Sequence, residues 1–359
     1  MTTRRLLAPA ASSLVAVALV ASAASSPASA RPAAERNDAR CAQSRPISLA
    51  AAAAASREGC SLAGRVVTDG RVSMTVPPAG MSVAGDGTTR HGDLAGFRVT
   101  NTGHGIRVVA EDRGTGGGGS WYLAPLSSTT TPTTPTSTTS TTSSTGTITT
   151  STPMIPGRAG DPGACKDRTF NLEHHRWHKA LRFHINLAKM PKRFHKKTVA
   201  HQIKVANANM RKGRNTCGKP RVTAPASHYL GRTSKKPNIA AAGPSCGRAN
   251  EVNIVGFGDL PGNLLGWTCY WYIGGRMVGT DMLLDNGPNL TTKLPSTCSN
   301  LWDFEGTVTH EWGHAYGLAH TGDGHGNLTM QHLLRPCSKY ARTLGIGDWL
   351  GMKKMYGAR

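Results

Sequence analysis

Acidic residues are scarce in this 359-residue chain: 20 Asp and Glu stand against 42 Lys and Arg, for a net charge of +22. No Cys-x-x-Cys pair occurs among the eight cysteines, which removes the usual zinc-ribbon and redox spacings. Beyond the first 30 residues no apolar run approaches the roughly 18 residues of a membrane helix, so no span is expected. The basic excess is not interleaved with an aromatic ladder or a nucleic-acid motif, which argues against specific nucleic-acid recognition.

What is present at the start reads as an export signal. Arg4 and Arg5 precede an apolar run from Leu14 to Val20, and Ala28-Ser29-Ala30 has the small-x-small pattern of a cleavage site, so residues 1–30 are excluded from the fold. The two arginines also half-resemble a twin-arginine signal, which leaves the export route open. An even number of cysteines in an exported chain implies disulfides. Two of them precede the low-complexity segment, so Cys41 is expected to pair with Cys60, and Cys298 is expected to pair with Cys337.

Composition divides the rest. Ser127 to Pro153 are almost only Ser, Thr and Pro, too poor in apolar side chains to fold, and residues 126–157 read as a linker of the kind often O-glycosylated in exported proteins. Residues 31–125 carry short alternating runs such as RVSMTV and GIRVVAED between turn signals, the pattern of a small β-rich accessory or pro-module. His91 and His104 lie in its glycine-rich turns and read as surface residues.

Residues 158–359 mix both periods and hold most of the charge, with 29 Lys and Arg against 12 Asp and Glu. LRFHINL alternates as a strand, and KKTVAHQIKVANANMRKG sets Val199, Ile203, Ala206 and Met210 on one helical face. Three apolar runs follow from Glu251 to Asp285 with hairpin-type breaks, and GIGDWLGMKKMYG closes the chain as a helix. The order implies an α+β or α/β layer arrangement with one sheet. Within it, Lys189 to Lys219 hold ten basic residues and no acidic one, either a solvated face or a surface for an anionic cell-wall polymer, nucleic acid or an acidic substrate.

The segment THEWGHAYGLAHTGDGHGNLTM carries the chemistry. His310 and His314 are four apart, so on a helix both imidazoles lie on one face and reach one ion. Glu311 stands beside the first ligand, Gly317 suits a left-handed helix end, and the turn brings round His320 as third ligand. His-Glu-x-x-His-x-x-Gly-x-x-His is expected by chance on the order of once in ten thousand such sequences, so a fortuitous Gly- and His-rich loop is a poor explanation. Val308, Trp312, Ala315 and Leu318 read as core-facing. His325 and His332 are rivals to His320, but the Gly-x-x-His spacing favours His320.

These residues resemble the signature of metzincin zinc peptidases, and Met330 in NLTM resembles the methionine of the turn beneath the metal in that clan. Within the clan the chain is most similar to matrixin-like secreted bacterial enzymes; the snapalysin type has Asp at the third ligand position, where this chain has His320. The resemblance covers roughly residues 158–359, most closely the last hundred. It implies a twisted mixed sheet with an antiparallel edge strand, an active-site helix and a C-terminal helix. It also implies Zn2+ on His310, His314 and His320, with Glu311 as general base and acid and Met330 as a structural support. The edge strand would lie in Leu264 to Trp271, with Leu264, Leu265, Gly266 and Trp267 offered to an extended protein or peptide substrate. Trp267 and Tyr270 line a pocket there or belong to the sheet core. A structural Ca2+ at Asp281 and Asp285 is expected by likeness to some relatives, with turn carboxylates as the other explanation. Tyr316, Tyr340 and Tyr356 are available to assist, and none is assigned. Neither Cys41 nor Cys60 fits the matrixin latency pattern.

His174, His175 and His178 could hold a second metal, but with only Glu173 near they read as surface or loop residues. The expected molecule is a secreted monomeric zinc endopeptidase. The alternatives are a basic adhesion or wall-binding protein with a zinc-stabilised domain, and a metal hydrolase of non-protein amides.

Overall fold

Alternation of apolar and polar side chains, the period of a half-buried strand, accounts for most of the architecture. The computed structural model describes residues 46–69, 72–90, 96–110, 120–123, 160–173, 175–240 and 244–359, all in one compact unit, Gln43–Arg359. The expected signal peptide, Cys41, His91, His174 and the stretch 126–157 lie outside the described residues.

Before the low-complexity stretch come β1 (Ile47–Ser48), α1 (Leu49–Arg57), β2 (Val66–Asp69), β3 (Val72–Thr75), β4 (Met81–Asp86), β5 (Phe97–Asn101), β6 (Ile106–Ala110) and β7 (Ser120–Leu123). After it come β8 (Asn171–Leu172), β9 (Leu181–Ile185), α2 (Lys196–Arg211), β10 (Ser227–Arg232), β11 (Ile239–Ala240), β12 (Ser245–Cys246) and β13 (Asn253–Gly258). The last third holds β14 (Gly266–Ile273), β15 (Arg276–Asp285), β16 (Leu290–Thr291), β17 (Trp302–Asp303), α3 (Phe304–Tyr316), β18 (Leu318–Ala319) and α4 (Ile346–Tyr356). The class is α+β, as the sequence leads one to expect.

Strands from both sides of the low-complexity stretch form one nine-stranded sheet, ordered β10-β9-β13-β15-β14-β4-β5-β6-β7. Its first four strands are parallel, and every pairing from β15–β14 onward is antiparallel. Gly274 and Gly275, at φ 52° and 77°, make the tight β14–β15 hairpin, a conformation that residues with a Cβ adopt only under strain. A smaller sheet, β1-β2-β3-β12-β11, again joins both parts of the sequence.

The sheet's two faces bury different sets. Phe183, Ile185, Tyr270, Tyr272, Met282 and Leu284 pack with the helices, around Ile203, Val308, Trp312 and Met352. Val83, Trp267, Cys269, Trp271 and Leu283 face the other way, onto Val67, Met74 and Cys246 of the smaller sheet. Trp267 and Tyr270 are therefore sheet core, 0% and 1% exposed.

One sequence expectation is corrected here. Leu264, Leu265, Gly266 and Trp267 are no open edge for a substrate, because β14 is an interior strand: Thr268 to Ile273 pair with Asp86 to Met81 of β4. Just upstream, Leu264 bridges Thr89, and the Leu265 amide donates to the Thr88 carbonyl at 2.9 Å. An edge whose amides and carbonyls would otherwise face solvent is covered by the chain's own N-terminal segment.

Disulfides join Cys165–Cys217, Cys246–Cys269 and Cys298–Cys337, the last as expected, and Cys60 is also disulfide-bonded. No described helix is long and apolar enough to cross a membrane. On α2 the expected positions Val199, Ile203, Ala206 and Met210 are buried, while Lys196 and Lys197 are exposed.

Candidate metal centre

Helix α3 carries the first two histidines, and its ends are fixed by side-chain chemistry. Asp303 caps the N-terminus by accepting from the Gly306 amide at 2.8 Å, and Arg342 clamps that carboxylate through Nε and a terminal nitrogen at 2.7 and 2.6 Å. Gly317 ends the helix at φ 100°, where an added Cβ would come within 2.2 Å of the His175 carbonyl. The chain then reverses, and His320 arrives opposite the helix, its carbonyl accepting from the Asn171 side-chain Nδ2 at 2.8 Å.

The three rings meet at their Nε2 atoms. His310 Nε2 lies 3.0 Å from that of His314 and 3.1 Å from that of His320. The opposite nitrogens settle two tautomers: His310 Nδ1 faces the Thr329 carbonyl at 2.7 Å, and His314 Nδ1 faces the Leu318 carbonyl at 3.1 Å. A carbonyl only accepts, so each Nδ1 carries the hydrogen and each Nε2 points a lone pair inward. Two lone pairs 3.0 Å apart in a fully buried site repel unless a cation lies between them. Burial, then the neighbouring imidazoles, hold both His310 and His314 well below the usual histidine pKa, so they are neutral ligands. Together with His320 they form a group that can hold one metal ion.

Met330 forms the floor. It is buried, and a Cβ on Gly313 of α3 would fall 2.1 Å from its sulfur, so that glycine is what lets the thioether lie against the helix. Asp348 holds this turn by accepting from the amides of Thr329 and Met330 at 2.8 and 3.1 Å and from Gly345 at 2.9 Å. Burial pushes its carboxyl up to about 6, against those hydrogen bonds. The sequence does not reveal Asp348; its one signal is an acid in the first turn of a helix with no other acidic residue.

Glu311 is also fully buried, and burial raises its pKa. Oε1 accepts from the Thr88 amide at 3.0 Å and the Thr88 hydroxyl at 2.7 Å, and Oε2 accepts from the Thr268 hydroxyl at 2.5 Å. Both threonines are new to the site. Thr88 comes from a short strap, Asp86 to Arg90, that crosses the centre. The Asp86 carboxylate lies 3.5 Å from His320 Nδ1 and 3.8 Å from His314 Nδ1.

Other candidates resolve differently. His175 is 2% exposed, contrary to the surface reading: it stacks on Tyr272, with ring centroids 5.0 Å apart, and its Nε2 lies 3.2 Å from the His314 carbonyl. It therefore backs the ligand helix. His104 and His178 are exposed as expected. His325 pairs with Asp167 at 2.9 Å, away from the ligand role, and the rings of His332 and His320 stand 5.8 Å apart. Asp281, inside β15, accepts the amides of Asn238 and of Ile254 on β13, and Asp285, at the end of β15, accepts that of Leu260. The Tyr356 hydroxyl donates to the Tyr316 carbonyl, and that of Tyr316 accepts from Asn207, so these two phenols are engaged in packing.

No known family model matches the chain, and no curated protein is significantly similar to it.

Proposed function

We propose that this chain is an exported zinc-dependent endopeptidase of the metzincin type. The observation that carries the reading is the set of inward lone pairs on buried, neutral His310 and His314, joined by His320 and followed directly by a buried glutamate. Neutral imidazoles suit zinc, and a simple zinc-stabilised fold has no need of Glu311. Export is supported by the charge and apolar pattern of residues 1–30 and by the disulfides.

His310, His314 and His320 would hold the zinc ion, which would supply a Lewis acid for the peptide carbonyl and for the attacking water. Glu311 takes a proton from the attacking water and delivers it to the leaving amine nitrogen. Thr268, on the sheet behind it, holds Oε2 and so orients the carboxylate. His175 and the Leu318 carbonyl fix the His314 ring and helix from behind, and the Thr329 carbonyl fixes His310.

The test is hydrolysis of an unfolded protein at neutral pH by the zinc-loaded chain, both intact and cut at a protease site introduced between Ser127 and Pro153. Cleavage that a chelator stops, and that Glu311→Ala loses while retaining zinc, is the expected result. A folded, zinc-loaded chain that cleaves in neither form would favour the adhesion reading.

A further inference from the structure

Residues 174–250 hold 18 Lys and Arg and no Asp or Glu. The fold gathers part of that excess on the side of α2 turned away from the metal centre. The inner side of the helix is occupied: Asn209 donates to Glu305 and Asn207 to the Tyr316 hydroxyl of α3, and a Cβ on Gly313 would stand 3.1 Å from Met210 Cε. At about 100° per residue, Lys197, Lys204, Arg211 and Lys212 fall within about 100° of one another on the outer side. Lys196, Lys197 and Lys204 are exposed, and α2 has no acidic residue to pair with them. At about 1.5 Å per residue, the stripe from Lys197 to Lys212 is about 22 Å long.

The stripe continues onto a loop that is held in place. The Val222 amide donates to the Lys212 carbonyl at 3.0 Å, and Asn215 Oδ1 accepts the amides of Cys217 and Lys219, each at 3.0 Å. The Cys165–Cys217 disulfide ties the same loop to the rest of the domain. Arg214, Lys219 and Arg221 are exposed along it. The Pro220 carbonyl accepts from Trp349 Nε1 at 2.8 Å, and the exposed Lys353 of α4 lies over the Trp349 ring at 5.3 Å, which adds a further cation. Among the described residues the ion pairs of Lys and Arg are those of Arg98 with Glu173 and of Arg342 with Asp303 and Glu305, so this array has no internal counter-charge. Like charges fixed side by side repel, and a polyanion laid along them relieves that repulsion.

We propose that the outer face of α2 and the loop 213–222 form a docking surface, separate from the metal centre, for a linear polymer of phosphate esters that carries no bases. Lysine supplies compact point charges that bind phosphate without a fixed geometry, which suits a flexible polymer. A single-stranded nucleic acid needs open aromatic faces on which bases stack. Here Tyr229 is taken up by Phe183 and Lys204, and Trp349 is buried under Lys353. A membrane surface calls for apolar side chains beside the cations, and the exposed large apolar residues among those described, Leu230 and Ile273, lie on neither α2 nor the loop. The docking surface holds whether or not the metal centre cleaves peptides.

The experiment measures binding of the full-length, zinc-loaded chain to long-chain inorganic polyphosphate over a salt series, with thermal melting to establish that each variant is folded. Each cation withdrawn from a single-stranded polyanion lowers the slope of log affinity against log salt by about 0.7. Lys196→Gln, Lys197→Gln and Lys204→Gln together are therefore expected to make it shallower by about 2 and to weaken binding on the order of a hundredfold near 0.1 M salt. Lys219→Gln with Arg221→Gln, outside the helix, should make it shallower by about 1.4, and this pair decides the matter if the helix variant does not fold. The control removes three exposed lysines off the stripe, Lys179, Lys235 and Lys236, and should leave the slope unchanged although the net charge falls equally. Equal weakening by the control, or an unchanged slope in the folded stripe variants, would overturn the proposal. Tighter binding to oligothymidylate or to phosphatidylglycerol vesicles than to polyphosphate, at matched phosphate concentration, would overturn the choice of partner.

Discussion

The floor and the roof of the histidine cluster come from opposite parts of the chain. The floor is local: the Thr329 carbonyl that fixes His310 lies 19 residues along the sequence, and the Leu318 carbonyl that fixes His314 lies four along. The roof is remote, since Thr88 stands 223 residues before the Glu311 that it holds. The floor positions ligands and is packed into the core; the roof covers chemistry and is attached through main-chain bonds and strand pairing. Substitutions in the two regions therefore have different consequences, in stability for one and in access for the other.

The largest effect is expected at the ligands themselves. His314→Ala removes one of three imidazoles and should weaken zinc binding about a hundredfold or more, taking the roughly 10–16 kcal/mol of a structural zinc site as divided over its ligands. Competition with a chromophoric chelator measures it, and an unchanged affinity would take His314 out of the site. Met330→Ala comes next. Emptying a buried thioether beneath α3 should cost about 3 kcal/mol of stability, read from urea unfolding of the metal-free chain. Thr88→Ala, in the roof, removes one hydroxyl from Glu311 and should cost only about 1 kcal/mol in the same assay. A larger loss at Thr88 than at Met330 would break the division between local floor and remote roof.

A pH series sharpens the floor further. His310 and His314 have folded-state pKa values well below the ordinary 6.5, so below that pH the unfolded chain binds more protons than the folded one. Their contribution to stability is therefore present above about 6.5 and lost as the pH falls through it. Asp348, pushed up to about 6, acts in the opposite sense: its contribution is full at low pH and is lost as the pH rises through about 6. Between pH 7.5 and 5.5 the metal-free chain should thus lose more stability than His314→Gln, which keeps Asp348 and lacks one titrating ring. Equal slopes would show that His314 already titrates normally.

How much was legible follows the same division. The motif helix, its left-handed end at Gly317, the meeting of His310, His314 and His320, and the Cys298–Cys337 bridge all rest on spacings within a few dozen residues. So do the strands at Leu181–Ile185 and Asn253–Gly258 and the helix at Lys196–Arg211. Alternation states which side chains of a strand are buried but not which strand lies beside it. Hence MSVAGD gave no indication that it pairs with β14, and Leu264 to Trp267 read as an open edge. His175 was missed for a related reason. Its neighbours in sequence are polar, and its burial comes from Tyr270 and Tyr272, about a hundred residues away.

The central claim is that His310, His314, His320 and Glu311 form a metal-dependent hydrolytic centre. It is tested most directly by the rate at which the zinc-loaded chain, intact and cut between Ser127 and Pro153, hydrolyses an unfolded protein, beside Glu311→Ala. The account predicts cleavage that Glu311→Ala loses although it retains zinc. Cleavage by Glu311→Ala at the wild-type rate, or none by either chain, would contradict it.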